Sequence, residues 1–438
     1  METIKNSEKN LTNRKTAPAI KEPVEFDIKL PPCEKATLSN GVEVYSVNMG
    51  AEEVVMMNWV FNAGNWYEKK KAVASATNFL LKNGTAKKTA FQLNEHFEYY
   101  GSYLTRACYS EHAEITLHCL NKHAEALLPV VAEMITEAAF PEEELAIYSQ
   151  NSQQRLKVGL QKSDFVAGRL IDACLFGENH PYGTYNNLED YSALQRDDLV
   201  SFYERYYKKG HCIIFVAGKL PANLLQGLEN SFGKLALQSH REHSQEVNHI
   251  TQPSAQKKHF VTNDPNGVQA AIRIVRPFPN RHHPDFQKAM VLNNVFGGFF
   301  GSRLSANIRE DKGYTYGIYS YLLNQLKESG WMISTEAGRE VSQATIDEVY
   351  KEMELLRNEP VDNEELQMIR NYMIGTVLGD LDGPFQVLAR WKGLLMNGLD
   401  EQFFNKGIEI VKTVTAEELQ ELANKYLQPD DFYELVVV

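Results

Sequence analysis

Arg309 and Tyr316 stand seven residues apart in the run Ile308-Arg309-Glu310-Asp311-Lys312-Gly313-Tyr314-Thr315-Tyr316-Gly317. A guanidinium presents several N–H donors in a fixed fork and can hold a peptide carbonyl or a carboxylate. A tyrosine on an adjoining strand can give its hydroxyl to an oxyanion as charge develops. Neither group is a nucleophile. The pair can therefore hold and stabilise a reacting amide, but cannot open it alone. Two plainer roles stay open: an ion pair of Arg309 with Glu310 or Asp311, and Tyr316 as an ordinary sheet aromatic.

Other candidates carry less. Gly297-Gly298 and Gly301 lack the Gly-Lys-Ser/Thr ending of a phosphate loop. His112, His118 and His123 are close in sequence, but Ile115, Leu117 and Cys119 alternate as one strand face and leave His118 on the other. The five cysteines never form a C-x-x-C pair and read as reduced thiols, mostly in strands.

The elements that must position Arg309 and Tyr316 recur. Pro141-Glu142-Glu143-Glu144-Leu145 opens a helix with carboxylates at its first turn, and Pro360 to Leu366 does the same, with Asp362 and Glu365 spaced as a capping box. Asp197-Asp198-Leu199 starts a helix to Tyr206, followed by the strand Cys212–Val216. Glu417-Glu418-Leu419, Tyr426 and Leu435–Val438 repeat that order about 220 residues later. Strands opening at Gly41-Val42 and Gly267-Val268 begin the two copies. The first is paired by pattern with Val54–Phe61. Strands alternating with long helices imply an α+β sandwich, a mixed sheet packed with helices in each half.

Lys69 to Lys82 has helical spacing, with Val73, Ala76 and Leu80 on one face and Asn83-Gly84-Thr85 as its stop. Residues 75 and 79 lie one above the other, with 78 beside them. Two imidazoles there would grip a metal, and a carboxylate at 78 would activate its water. The chain has Ser75, Asn78 and Phe79 instead.

The strand Val54–Phe61, the turn Asn62-Ala63-Gly64, this helix and its Gly84-Thr85 ending resemble the opening of the pitrilysin/insulinase-type (M16) metallopeptidases and the mitochondrial processing peptidases. The resemblance covers nearly the whole chain from about residue 26. It implies an inverted zinc motif, His-x-x-Glu-His, on Ser75-Ala76-Thr77-Asn78-Phe79, and a third ligand at Arg155. All of these positions depart from it. Asparagine takes no proton from water at neutral pH, phenylalanine has no lone pair, and an arginine repels a metal and is able to fill its place. Phe79 and Leu80 are expected in the core. The match is most specific at Gly297 to Gly317, where the resemblance implies that Arg309 and Tyr316 reach a substrate.

The chain has 438 residues, 43% apolar and 23% charged, with net charge −12. That length implies two domains of roughly 200 residues. The boundaries read as a flexible segment 1–25, an M16 N-terminal-like domain 26–236, an exposed linker 237–258 and an M16 C-terminal-like domain 259–438. The negative charge disfavours nucleic acid and anionic membranes. No signal peptide or transmembrane run is visible, which implies a cytoplasmic protein. The resemblance implies a zinc-deficient subunit with no cofactor of its own. Its partner would be a zinc-bearing M16-type chain in a hetero-oligomer, with a homodimer as the alternative when it is made alone, and its substrate an unfolded peptide. The rival reading is a catalytically inert peptide-binding or assembly protein with the same fold.

Overall fold

The computed structural model describes residues 21–238, 248–323 and 325–438. Residues 1–20 of the expected flexible segment and 239–247 of the expected linker lie outside the described residues.

The first half builds a six-stranded mixed sheet from β1 (Glu34–Thr37), β2 (Glu43–Asn48), β3 (Val54–Phe61), β4 (Tyr103–Cys108), β5 (Ala113–Leu120) and β6 (Cys212–Gly218). Its helices are α1 (Val73–Leu80), α2 (Ala90–Tyr99), α3 (Ala124–Glu137), α4 (Glu142–Gly159), α5 (Ser163–Phe176), α6 (Leu188–Ser192), α7 (Arg196–Tyr203) and α8 (Leu224–Phe232). The second half has a five-stranded sheet of β7 (Lys258–Val261), β8 (Gln269–Pro277), β9 (Thr315–Leu322), β10 (Gly330–Gly338) and β11 (Tyr433–Val437). Around it lie α9 (Phe286–Phe296), α10 (Ser342–Asn358), α11 (Asn363–Gly379), α12 (Pro384–Met396), α13 (Glu401–Thr413) and α14 (Ala416–Tyr426).

The strand orders are β1-β2-β6-β3-β5-β4 and β7-β11-β8-β10-β9. Without β1 they are the same. A parallel pair (β2 with β6, β7 with β11) is followed by three antiparallel ones in each. The expected pairing of Gly41–Tyr45 with Val54–Phe61 does not occur. The last strand of the half, β6, returns between β2 and β3 and pairs with both. The repeat is also shifted by one strand: Gln269–Pro277 matches β3, and the match of β2 is β7. Alternating patterns locate strands but do not say which neighbour a long crossover will insert.

Period-two alternation gives each sheet two buried faces. In β3, Val55, Met57, Trp59 and Phe61 enter the main core of the first half, whereas Val60 faces the other side. That other side is covered by α12, a helix of the second half, with Val387 and Leu388 packed on Val47, Val60, Phe215 and Ala217. The exchange is mutual. In the second sheet Ala270, Ile272 and Ile274 face their own helices, while Ala271, Val275, Tyr433 and Leu435 face α5 of the first half.

Each exchanged helix is also pinned by charge. Lys392 on α12 reaches both Glu114 carboxylate oxygens at 2.9 Å and Asn58 Oδ1 at 3.3 Å. Asp164 on α5 accepts from Arg273, which also donates to the Ile272 and Thr335 carbonyls. Where described, the segments expected to be loose are held. The turn Pro23–Glu25 packs on α11, with Asn371 donating to Glu22. Gln252 and Ser254 donate backbone N–H groups to Phe176 and Cys174 carbonyls, both at 2.9 Å.

Burial pushes the Glu114 carboxyl up, but the His112 hydrogen bond and the Lys392 ammonium outweigh it and hold it down at about 2. An unfolded glutamate titrates near 4.3, so this stabilisation is complete above roughly pH 4.5 and is lost as pH falls toward 2. Lys392→Met should cost about 2 kcal/mol at neutral pH, less than a fully buried pair because Lys392 keeps 27% of its side chain exposed. The deficit should shrink at pH 3. Urea denaturation at both pH values checks this; equal midpoints for variant and wild type at pH 7 would reject it.

Candidate functional site

α1 begins at an unusual backbone. Ala72, its N-cap, sits at φ 68°, a left-handed conformation that costs a residue with a Cβ. The Glu68 carboxylate compensates by accepting the Ala74 N–H at 2.9 Å, beside the positive end of the helix. Burial nevertheless pushes that carboxyl up to about 7.

The three positions on α1 are all engaged in packing. Ser75 Oγ donates to the Ala72 carbonyl at 3.1 Å and lies 3.3 Å from the Tyr148 hydroxyl. Asn78 is 2% exposed. Its amide donates to the Glu114 carbonyl at 3.3 Å and the Tyr207 hydroxyl at 3.1 Å. Phe79 is not in the core, as expected from pattern, but 38% exposed at the wall of a cleft; Leu80 beside it is fully buried. The helix turns Leu80 inward, whereas Phe79, about 100° round the axis, points toward Tyr148 of α4. The Phe79 ring lies 5.1 Å from that of Tyr148, with the Arg106 guanidinium 4.8 Å from its centre. Arg106 also donates to the Phe79 carbonyl and to Asn83 Oδ1, closing the negative end of α1. Burial lowers its pKa to about 10.

Tyr148 on α4, rather than Arg155, fills the space between Ser75 and Phe79. Arg155 lies two turns further along α4, lining the same cleft as Phe79 and donating to Ser152 Oγ at 3.2 Å. A hydroxyl, an amide, a ring and a phenol kept neutral by burial are not a ligand set for zinc, and the metal does not fit here. Among the described residues no group of three or more His, Cys, Asp or Glu is placed to hold a metal elsewhere.

The second cleft, about 470 Å³, lies in the other half and is lined by Gln269, Arg309, Glu310, Tyr314, Tyr316 and Glu336 among others. A π-helical turn, Ser305–Asp311, carries Arg309, and Gly313 at φ 67° turns the chain into β9. The structure brings the two side-chain bearers together: Arg309 Nε donates to the Tyr316 carbonyl at 3.0 Å. The guanidinium also lies 4.1 Å from the Phe300 ring centre and 3.4 Å from Glu310 Oε1, the expected ion pair. Tyr316 is 95% exposed, next to the register shift between β9 and β10. Its backbone is fixed while its hydroxyl is free of partners among the described residues. Arg303 holds the turn to α11 through Glu365, at 2.9 and 2.7 Å. The two clefts share no lining residue.

Sequence reasoning missed Glu68, Arg106 and Tyr148. Glu68 had a signal, a carboxylate just ahead of a helix. Tyr148 had none, because it shares the apolar stripe of Leu145 and Leu156 and reads as core.

Residues 193–373 match the family model of the peptidase M16 inactive domain. The chain is 23% identical to the "uncharacterized zinc protease YmxG" of Bacillus subtilis, over 85% of this chain and 89% of that one. Its fold is that of the peptidase M16 inactive domain from Pseudomonas fluorescens, with TM-score 0.81, 21% identity and coverage of 92% and 98%. A protease from Helicobacter pylori gives TM-score 0.84 at 16% identity, covering 93% of this chain and 100% of that one. The family model and these relatives are thus what the chain is similar to, and the solved structures have its fold of two mixed sheets packed with helices.

The purified chain should hold no stoichiometric zinc at Ser75, Asn78, Phe79 and Arg155. Elemental analysis checks this; about one tightly held zinc per chain, lost on changing these residues, would contradict the site chemistry.

Proposed function

We propose that the chain is the zinc-deficient subunit of a heteromeric M16-type metallopeptidase. In this reading it supplies substrate binding and transition-state stabilisation to a zinc-bearing partner that hydrolyses unfolded peptides. The observation that carries the reading is the Arg309–Tyr316 arrangement: a phenol exposed over 95% of its surface, on backbone clamped by the arginine beside it. An exposed donor on a rigid mount is what an oxyanion contact supplied to another chain requires. The relatives named as zinc proteases supply the class of partner. The division of the chain into domains 26–236 and 259–438, with 237–258 between them, is part of this proposal, the repeated strand order being its support.

A second reading has its own observation. Phe300, Glu310 and the Tyr316 carbonyl already occupy much of the Arg309 guanidinium. That suits an inert peptide-binding or assembly protein in which the arginine only holds the turn.

Alone, the chain should not cleave peptides. With its zinc-bearing relative it should permit cleavage that the relative performs poorly by itself. Tyr316→Phe should then lower turnover by roughly 10²–10³-fold with assembly intact. Arg309→Ala should raise KM more than it lowers kcat, and Arg309→Lys, which keeps charge but loses the fork, should recover only part of the loss. Steady-state kinetics at fixed subunit stoichiometry checks both. Wild-type rates in the double variant would transfer the case to the second reading.

A further inference from the structure

The cleft at the end of α1 is used neither by the Arg309–Tyr316 pair nor by the packing of the sheets. One stripe of α4 lines it: Glu144, Ile147, Tyr148, Asn151 and Arg155, three or four residues apart. Phe79 also lines it, and the open cleft has a volume of about 420 Å³.

The middle of this cleft is apolar and its ends are charged in opposite senses. Ile147 and Phe79 are both part-exposed there, with the Tyr148 ring between. Glu144 accepts only from the neutral Asn83 amide, at 2.7 Å, and meets no cation among the described residues. Arg155 donates only to the Ser152 hydroxyl and meets no carboxylate among them. Along α4 the two are about 16 Å apart, at roughly 1.5 Å per residue. An extended peptide spans that distance in about five residues.

We infer that this cleft binds a short peptide with both termini free, about five residues long and apolar at its centre. The ammonium lies at Glu144, the carboxylate in the Arg155 fork, and the central side chain between Phe79 and Ile147. A fatty acid would leave Glu144 unmatched, and an internal stretch of a longer chain meets both ends only where a basic and an acidic side chain fall at that spacing. The complementarity thus selects a fragment of the size proteolysis releases. The choice of ligand rests on the reading of the chain as a peptide-handling subunit, but the binding needs no partner.

Calorimetric titration of the full chain tests this with a pentapeptide carrying a central leucine, its C-terminally amidated form and its N-acetylated form. The free peptide should bind. Amidation, or Arg155→Gln, should weaken it by about tenfold or more. Acetylation, or Glu144→Gln, should act likewise, and Ile147→Asp should abolish binding. Arg155 and Ile147 are exposed, so their variants should fold; thermal melts verify it. No binding by the folded wild type, or equal affinity for all three peptides, overturns the inference. Binding is read on the chain alone and cleavage with the partner, so either result can fail while the other stands.

Discussion

The exchange of helices between the halves is the constraint on which the rest of the molecule depends. Each sheet has two apolar faces, and its own helices cover only one. α12 closes the first sheet and α5 the second, so neither half can bury its strands without the other. Glu114 lies at the centre of this exchange. Its carboxylate holds Lys392 of the second half, and its carbonyl holds the Asn78 amide of α1. One residue of β5 thereby fastens the far half of the chain and the helix that borders the first cleft. Removing either partner leaves a charge or an amide in a dry place, which is what makes such contacts costly to break.

That helix serves packing rather than chemistry in this chain. A carboxylate at position 78 would face the Glu114 backbone oxygen and the Tyr207 hydroxyl in a buried setting; the neutral amide donates to both. Phe79 places a ring where the resemblance would have put a nitrogen ligand, and Tyr148 packs a second ring against it. Arg106 then covers the Phe79 ring and donates to the Phe79 carbonyl and to the Asn83 side-chain amide at the end of the helix. Ser75, Asn78, Phe79 and Tyr148 contact one another or their neighbours, and together they form a packed wall of the cleft.

The other cleft is built on a different principle. Arg309, Tyr314 and Tyr316 there are only part-buried or exposed, and the rigidity comes from backbone. The π-helical turn, the glycine after it, and the hydrogen bond from Arg309 to the Tyr316 carbonyl fix where the phenol stands without enclosing it. With the backbone already fixed, only the torsions of the exposed side chain are left to order on contact. The same chain thus carries one cleft whose walls are packed shut to metal and another whose tyrosine is exposed to solvent.

The sequence by itself determined the fold class, because alternation, helix starts and the repeat all act locally. It also determined that α1 offers no metal ligands, since residue types at fixed helical spacing decide that. It located Arg309 and Tyr316, whose separation of one turn and one glycine is short enough to read directly. Tertiary structure alone decided the rest. β6 inserts between β2 and β3 through a crossover that no local pattern encodes. α5 and α12 look like ordinary amphipathic helices, and nothing in their spacing says that each covers the other half's sheet. Phe79 sits on the cleft and Tyr148, not Arg155, fills the gap beside it, because the meeting of α1 with α4 depends on how two distant helices slide against each other. Side-chain identity is set along the chain, but which groups share a cleft is set by packing across it.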